Sequence, residues 1–253
     1  VTSFSPDSGE LADRVILVTG GSRGIGAEIV RQAAERGAMV AFCARTLGHP
    51  QEEGLQAGRV VAVRADVSRE DEVEKLFDAT LHAFGRVDVV VNNAGISREG
   101  LLVSLPTTAW NEVIATNLTG AFLVSRRAIK EFLAQGAAGR IISIGSVMQE
   151  GAPSNASYSA SKGGLIGLTR TIAHEYGSRG VRAHLVVAGA VETELTQDVP
   201  ESIRRAVVEA CPQKRQATAS EVAAAVLFLA SPRAGLANGT AIRVAGGLRE
   251  VMV

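Results

Sequence analysis

The sequence predicts an α/β protein: one doubly wound, seven-stranded parallel sheet with helices on both faces. Three observations predict it. Short apolar runs alternate with helix-spaced segments almost to the end of the 253-residue chain. The runs are apolar throughout instead of alternating with polar residues, as in strands buried on both faces. No linker, low-complexity stretch or internal repeat divides the chain, so one domain accounts for it.

The elements follow in order. Residues 1–10, "VTSFSPDSGE", are polar and lack an apolar signal core, so a flexible tail is expected there, with the domain over 11–253. "RVILVTG" (14–20) is β-rich and stops at glycine. "GAEIVRQAAERG" (26–37) has helical spacing, with Gly37 placed to cap its C-terminus. "MVAFCA" (39–44) and "RVVAVRA" (59–65) are strands. The connection between them, 46–58, is short enough to be a turn or loop. "SREDEVEKLFDATLHAFG" (68–85) is a helix, with Ser68 as expected N-cap and acids in its first turn. "VDVVVNNAG" (87–95) is an apolar strand running into a turn. A long helical region spans about 107–134. "GRIISIGS" (139–146) is a strand, about 155–178 a helix, "VRAHLVVAG" (181–189) a strand and "GTAIRVAGG" (239–247) the last strand.

Composition narrows the function. The chain is 46% hydrophobic, with 26 basic and 26 acidic residues and a formal net charge of zero. That is not the footprint of a nucleic-acid binder. Cys43 and Cys211 lie far apart, and His49, His82, His174 and His184 are scattered. No metal site is expected, and a reduced, cytoplasmic setting fits. No apolar run approaches the ~18 residues a membrane span needs, so no membrane role is expected.

"TGGSRGIG" (19–26) joins the first strand to the first helix. Gly20, Gly24 and Gly26 allow a tight turn, close approach of a pyrophosphate, and close helix–sheet packing. With Ser22, Arg23 and Ile25, they form the expected phosphate loop of a dinucleotide site. An NAD site usually ends its second strand with an acid for the ribose hydroxyls. Here "FCART" puts Ala44 in that place and Arg45 after it. Two guanidiniums, Arg23 and Arg45, and no acid favour a 2′-phosphate, hence NADP(H).

Tyr158 and Lys162 stand i, i+4 on the long helix after 155, on one face. An ammonium beside a phenol lowers the phenol's pKa, so this pair suits acid–base work near neutrality. Ser146 closes the preceding strand at the same sheet edge, where its hydroxyl can hold a carbonyl oxygen. Asn117, inside a helix that an amide does not favour, suggests a specific polar role.

These residues, with "ADV" (65–67), "NNAG" (92–95), "YSASK" (158–162) and "GAVETEL" (189–195), resemble the short-chain dehydrogenase/reductase family, close to its 3-oxoacyl-[acyl-carrier-protein] reductase-like branch. The resemblance covers about 12–248 and implies a Rossmann-type fold. It implies that Tyr158 protonates the substrate oxygen, Lys162 binds the nicotinamide ribose, Ser146 orients the carbonyl, and Asn117 holds a relay water. Asp66 and Val67 would frame the adenine. Asn93, Ala94 and Gly95 would line the cofactor, and Gly189, Val191 and Thr193 the nicotinamide side. Ala188 stands where the family usually has proline, which implies a looser loop there. The Ser146–Tyr158 gap is one residue shorter than in many relatives, with Ser143 as the fallback.

The function this implies is NADPH-dependent reduction of a ketone, 3-oxoacyl or polyketide-like, to a secondary alcohol. An oxidative sugar or secondary-alcohol dehydrogenase is the alternative enzyme, and a catalytically silent dinucleotide-sensing protein the alternative of another class. An enoyl reductase is disfavoured, because that relative spaces its tyrosine and lysine more widely. The substrate loop is expected at about 194–216. Arg179 sits where carrier-protein reductases have a basic residue, but "QGAAG" (135–139) lacks the basic residues often found there, so a carrier-bound and a free substrate both stay open. Small residues on the helices about 107–134 and 155–178, and the apolar end "REVMV", point to a homotetramer.

Overall fold

A computed structural model describes residues 9–48, 58–192 and 200–248 of the chain. Strand β1 (Val15–Thr19) leads into helix α1 (Gly24–Glu35), then β2 (Met39–Ala44), β3 (Val60–Arg64) and α2 (Glu70–Phe84). β4 (Val89–Asn92) is followed by α3 (Thr107–Ile114) and α4 (Gly120–Ala134), joined through one π-helical turn, Ala115–Thr119. β5 (Arg140–Ser146), α5 (Ala156–Tyr176), β6 (Arg182–Ala188), α6 (Glu201–Ala210), α7 (Ala219–Ala230) and β7 (Thr240–Val244) complete it. The seven strands are all parallel, in the order β3-β2-β1-β4-β5-β6-β7. The order reverses between β1 and β4, and ligands in such sheets bind at that crevice, beyond the carboxyl ends of the strands.

Alternation along each strand divides the core. Ile16 and Val18 face a layer built with Ile29, Val30, Val222 and Val226 of α1 and α7. Leu17 faces the opposite layer, with Leu76 and Phe77 of α2 and Val124 and Phe132 of α4. Each such side chain contributes roughly 1.5–3 kcal/mol on leaving water. At the start of the β1–β4 pair, Asp88 Oδ2 accepts from the Val15 N–H at 2.9 Å.

The helix signals met mixed fates. Gly37 follows α1 with φ 87°, the left-handed position expected of it. Ser68 does not cap α2: its N–H and hydroxyl both turn back to Asp66 Oδ1, at 2.9 and 2.7 Å, and the helix starts two residues later. The long region at 107–134 is two α-helices with a π-turn between them. Strand β6 runs through Ala188, in register with both Ser146 and Val244. The loop after it is tied, not slack: Gly189 N–H donates to Val244 O, Ala217 N–H donates to Ala190 O, and Val191 bridges Ala217.

Thr193, residues 1–8, the first part of the substrate segment (194–199), most of the 46–58 connection (49–57) and "REVMV" lie outside the described residues. Of the described part, Glu10 pairs with Arg233 and Leu11 is fully buried. Residues 200–216 contain α6, an amphipathic helix with Ile203 half exposed. Among the described residues no helix is long and apolar enough to cross a membrane.

Candidate active site

One open cleft of about 590 Å³ lies over the β1–β4 crevice. Its phosphate end is built by the glycine turn, and that turn is pinned. Thr19 Oγ1 accepts from the N–H groups of Asn93 and Ala94, each at 3.0 Å. The Asn93 amide donates to the carbonyls of Thr19 and Gly20, each at 2.9 Å. A Cβ on Gly20 would lie 2.9 Å from Ala94 Cα, and φ there is +65°. A Cβ on Gly26 would lie 2.0 Å from Gly20 O, so Gly26 seats the helix against the turn and does not line the cleft. Gly20, Ser22, Arg23, Gly24 and Ile25 do line it, as do Asn93, Ala94 and Gly95 from the end of β4. Bare backbone beside a helix N-terminus suits a pyrophosphate.

Beyond the ends of β2 and β3 the cleft is lined by Arg45, Asp66 and Val67. Ala44 leaves no carboxylate at the end of β2. Arg64, in register with Ala44, donates to the Arg45 carbonyl at 3.2 Å and so fixes the backbone that carries Arg45.

At the far end of the cleft stand Tyr158 and Lys162. Lys162 is buried, and its ammonium donates to the Ile144 carbonyl at 2.7 Å. Burial pushes its pKa down to about 8. The ammonium lies 5.6 Å from the centre of the Tyr158 ring. Burial holds the Tyr158 phenol above its ordinary value, and a hydrogen bond from Ser146 works against that. The lowered phenol expected from the sequence is therefore not produced by the lysine: a desolvated ammonium shared with a carbonyl does not outweigh desolvation of the phenol. Ser146 also accepts from Met148 N–H at 3.2 Å, which aims its hydroxyl. Ser143 points elsewhere, to the Asn92 amide at 3.4 Å.

Asn117 sits in the π-turn, a helix irregularity that often marks a functional site. Its side chain is buried and clamps Ile96: Oδ1 accepts from the Ile96 N–H and Nδ2 donates to the Ile96 carbonyl, both at 2.9 Å. Nδ2 also donates to Ser161 Oγ at 3.1 Å. A Cβ on Gly95 would stand 3.5 Å from Asn117 Oδ1 and 3.6 Å from Lys162 Nζ. Any side chain there would fill the space between amide and ammonium.

The structure thus lines one cleft with many of the expected residues; Ser146 and Asn117 do not line it but bond to residues that do, Ser146 to Tyr158 and Asn117 to Ile96. Gly26 supports it from behind, and Gly189 and Val191 are held by β7 and Ala217 on the nicotinamide-side loop. Several contributors were not read from the sequence. Ile144 acts through its carbonyl, which no side-chain pattern reveals. Thr19 had a signal: a hydroxyl at the last position of a strand entering a glycine turn. Thr116 and Ile96 also line the cleft.

A dinucleotide-shaped cleft ending in a serine–tyrosine–lysine cluster defines an NAD(P)-dependent oxidoreductase acting on CH–OH and C=O groups. The chain belongs to the short-chain dehydrogenase/reductase family. Residues 20–249 match the family model described as enoyl-(acyl carrier protein) reductase. The chain is 40% identical over 250 residues to the 3-oxoacyl-[acyl-carrier-protein] reductase MabA of Mycobacterium avium, covering 98% of this chain and 95% of the relative. It is 38% identical over 240 residues to the reductase FabG of Vibrio cholerae serotype O1, covering 94% and 98%. It is 37% identical over 251 residues to the (3R)-3-hydroxyacyl-CoA dehydrogenase of Mus musculus, covering 94% and 97%.

Proposed function

We propose that the protein reduces the ketone of a 3-oxoacyl or polyketide-like substrate to a secondary alcohol, using NADPH. The observation that carries this reading is the convergence of Ser146, Tyr158 and Lys162 at one end of a cleft whose other end offers Arg45, with Ala44 in place of a carboxylate at the end of β2. The two bacterial relatives named as 3-oxoacyl reductases support the substrate class.

The residues present fit the cofactor. Gly20, Gly24 and Gly95 leave bare backbone along the cleft, Ser22, Arg23 and Ile25 would face the phosphates, and Arg45 would take the 2′-phosphate through its planar fork. Asp66 and Val67 would take the adenine, Lys162 the nicotinamide ribose, and Gly189 and Val191 the nicotinamide side. When bound, a reduced nicotinamide supplies the hydride. Ser146 holds the substrate carbonyl beside the phenol, and Tyr158 donates its proton to the oxygen. A phenol held above its ordinary pKa is fully protonated at neutral pH, the state a reductase needs first. Lys162, at about 8, exchanges a proton readily, so it can return one to the tyrosinate left by the transfer and recover one from solvent.

The test is NADPH oxidation, followed optically over a panel of ketones, 3-oxoacyl-CoA and 3-oxoacyl carrier-protein thioesters. Turnover on 3-oxoacyl thioesters above simple ketones supports the reading. Binding of NADPH with no turnover on any ketone leaves a dinucleotide sensor instead. The mouse relative, named for the alcohol side of the same reaction, favours a second reading: oxidation of a 3-hydroxyacyl thioester. We further infer a cytoplasmic homotetramer. Phe122 and Leu133 on the outer side of α4 are half exposed, with Arg126 lying over Phe122 at 4.9 Å, an apolar surface that a second copy can cover.

A further inference from the structure

The amino-terminal edge of the sheet, at the far end of the strands from the cleft, carries a charge that the described residues do not balance. Arg140 opens β5 and is 6% exposed. Its Nε is buried without a hydrogen-bond partner. Arg182 opens β6 and stands opposite Arg140 in register. Registered neighbours on parallel strands point to the same face, about 4.8 Å apart, and like charges placed so repel. Two residues on, His184 is fully buried on that same face. Its Nδ1 lies 3.3 Å from Thr240 Oγ1, and its Nε2 has no partner.

Asp88 is the acid nearest this group, and it is already engaged. Its carboxylate takes Arg14 at 3.3 Å, Arg86 at 2.5 Å and the Val15 N–H at 2.9 Å. Burial first, then Arg182 and Arg14, hold the Arg140 guanidinium below its ordinary value, with only Asp88 opposing. A buried guanidinium without a counter-charge is strongly destabilising. The fold keeps one here, with a second arginine and an unpartnered imidazole nitrogen beside it.

We propose that this edge is an anion site, in which one compact oxyanion of the phosphate class is held at the surface between the guanidinium groups of Arg140 and Arg182. Guanidinium forks match tetrahedral oxyanions. The site lies on the opposite side of the sheet edge from Arg23 and Arg45, so it is separate from the dinucleotide cleft.

The test is thermal unfolding of the full chain in millimolar inorganic phosphate, against chloride at equal ionic strength. Phosphate is expected to raise the wild-type midpoint by about 3–8 °C. Arg45→Ala, which weakens the cleft's own phosphate grip, is expected to keep that rise. Arg182→Ala, at a half-buried position that tolerates truncation, is expected to lose it. Arg140→Met removes the uncompensated charge while keeping most of the volume, so in chloride it should unfold no earlier than wild type and should ignore phosphate. A rise kept by Arg182→Ala and lost by Arg45→Ala would assign the anion to the cleft and overturn the site. Absence of any rise in wild type overturns it too.

Discussion

At the scale of single residues the reading turns on atoms that can be removed one at a time. Tyr158→Phe takes away one hydroxyl and leaves the ring that packs beside Lys162. Folding and cofactor binding should survive, and ketone reduction should fall by at least ~10²-fold, the lower range for a lost acid–base group. Steady-state kinetics with an unchanged NADPH dissociation constant would agree; near wild-type turnover would remove Tyr158 from the mechanism. Arg45→Ala should weaken NADPH by about 10-fold or more, one lost charge-assisted contact, and leave NADH almost alone. Fluorescence titration with both cofactors reads the difference, and equal losses would make Arg45 structural. The placing of Tyr158, Lys162 and Arg45 on one cleft, with Ser146 bonded to Tyr158, was legible in the sequence because each stands at a fixed distance from a strand or helix end. The raised phenol was not legible. Spacing shows that an ammonium is near, but only packing shows that desolvation outweighs it.

At the scale of elements, strands were easier to read than helix ends. A run such as "VDVVVNN" has few alternatives once buried on both faces, whereas a helix start depends on which of several polar side chains wins the first turn. Ser68 is drawn back to Asp66 and no side chain caps α2, and α7 went unread although "TASE" (218–221) spells its start. Thr218 accepts from Glu221 N–H at 3.1 Å, and Glu221 accepts from Thr218 N–H at 2.9 Å, a complete capping box. Arg215 and this box hold the Glu221 carboxyl down to about 2. Thr218→Ala should lower the unfolding midpoint by about 2–4 °C, the shift that accompanies loss of a cap; no change in calorimetry would mean that α7 is held by its packing on α1 alone. Strand β6 supplies a pH effect. Burial first, then Arg140 and Arg182, push the His184 imidazole down to about 4. As pH falls, the unfolded chain takes up this proton near 6.5, before the folded one does. Stability from this group is complete above about pH 6.5 and is lost as pH falls toward 4, by at most roughly 3 kcal/mol. In chloride buffer, His184→Asn should flatten that window of urea-unfolding free energies; an equal slope in both proteins would place the acid lability elsewhere.

At the scale of the whole molecule, assembly is the property least visible in one chain. A homotetramer should give a light-scattering mass near four times 26.3 kDa at micromolar concentration. Phe122→Glu should reduce that mass, since it puts a charge on the outer side of α4, and a single-chain mass for the wild type would rule the assembly out. The doubly wound sheet was legible as a whole because seven apolar runs admit few arrangements, whereas α6 (Glu201–Ala210) was legible only as a partly helical stretch, because its apolar face is narrow and prolines flank it. The strand order has one more consequence, and it concerns time. β1 is the first strand made, yet its partner on the β4 side begins 73 residues later, where Asp88 meets the Val15 N–H. A nascent chain can pair β1 with β2 early, but the seam between β1 and β4 must wait for a long loop to close, the slow kind of step in folding. That seam is the floor of the cleft. The protein therefore has no cleft floor to offer its cofactor until β4 has been made and has paired with β1, and a dinucleotide that binds there stabilises only chains in which that seam has formed.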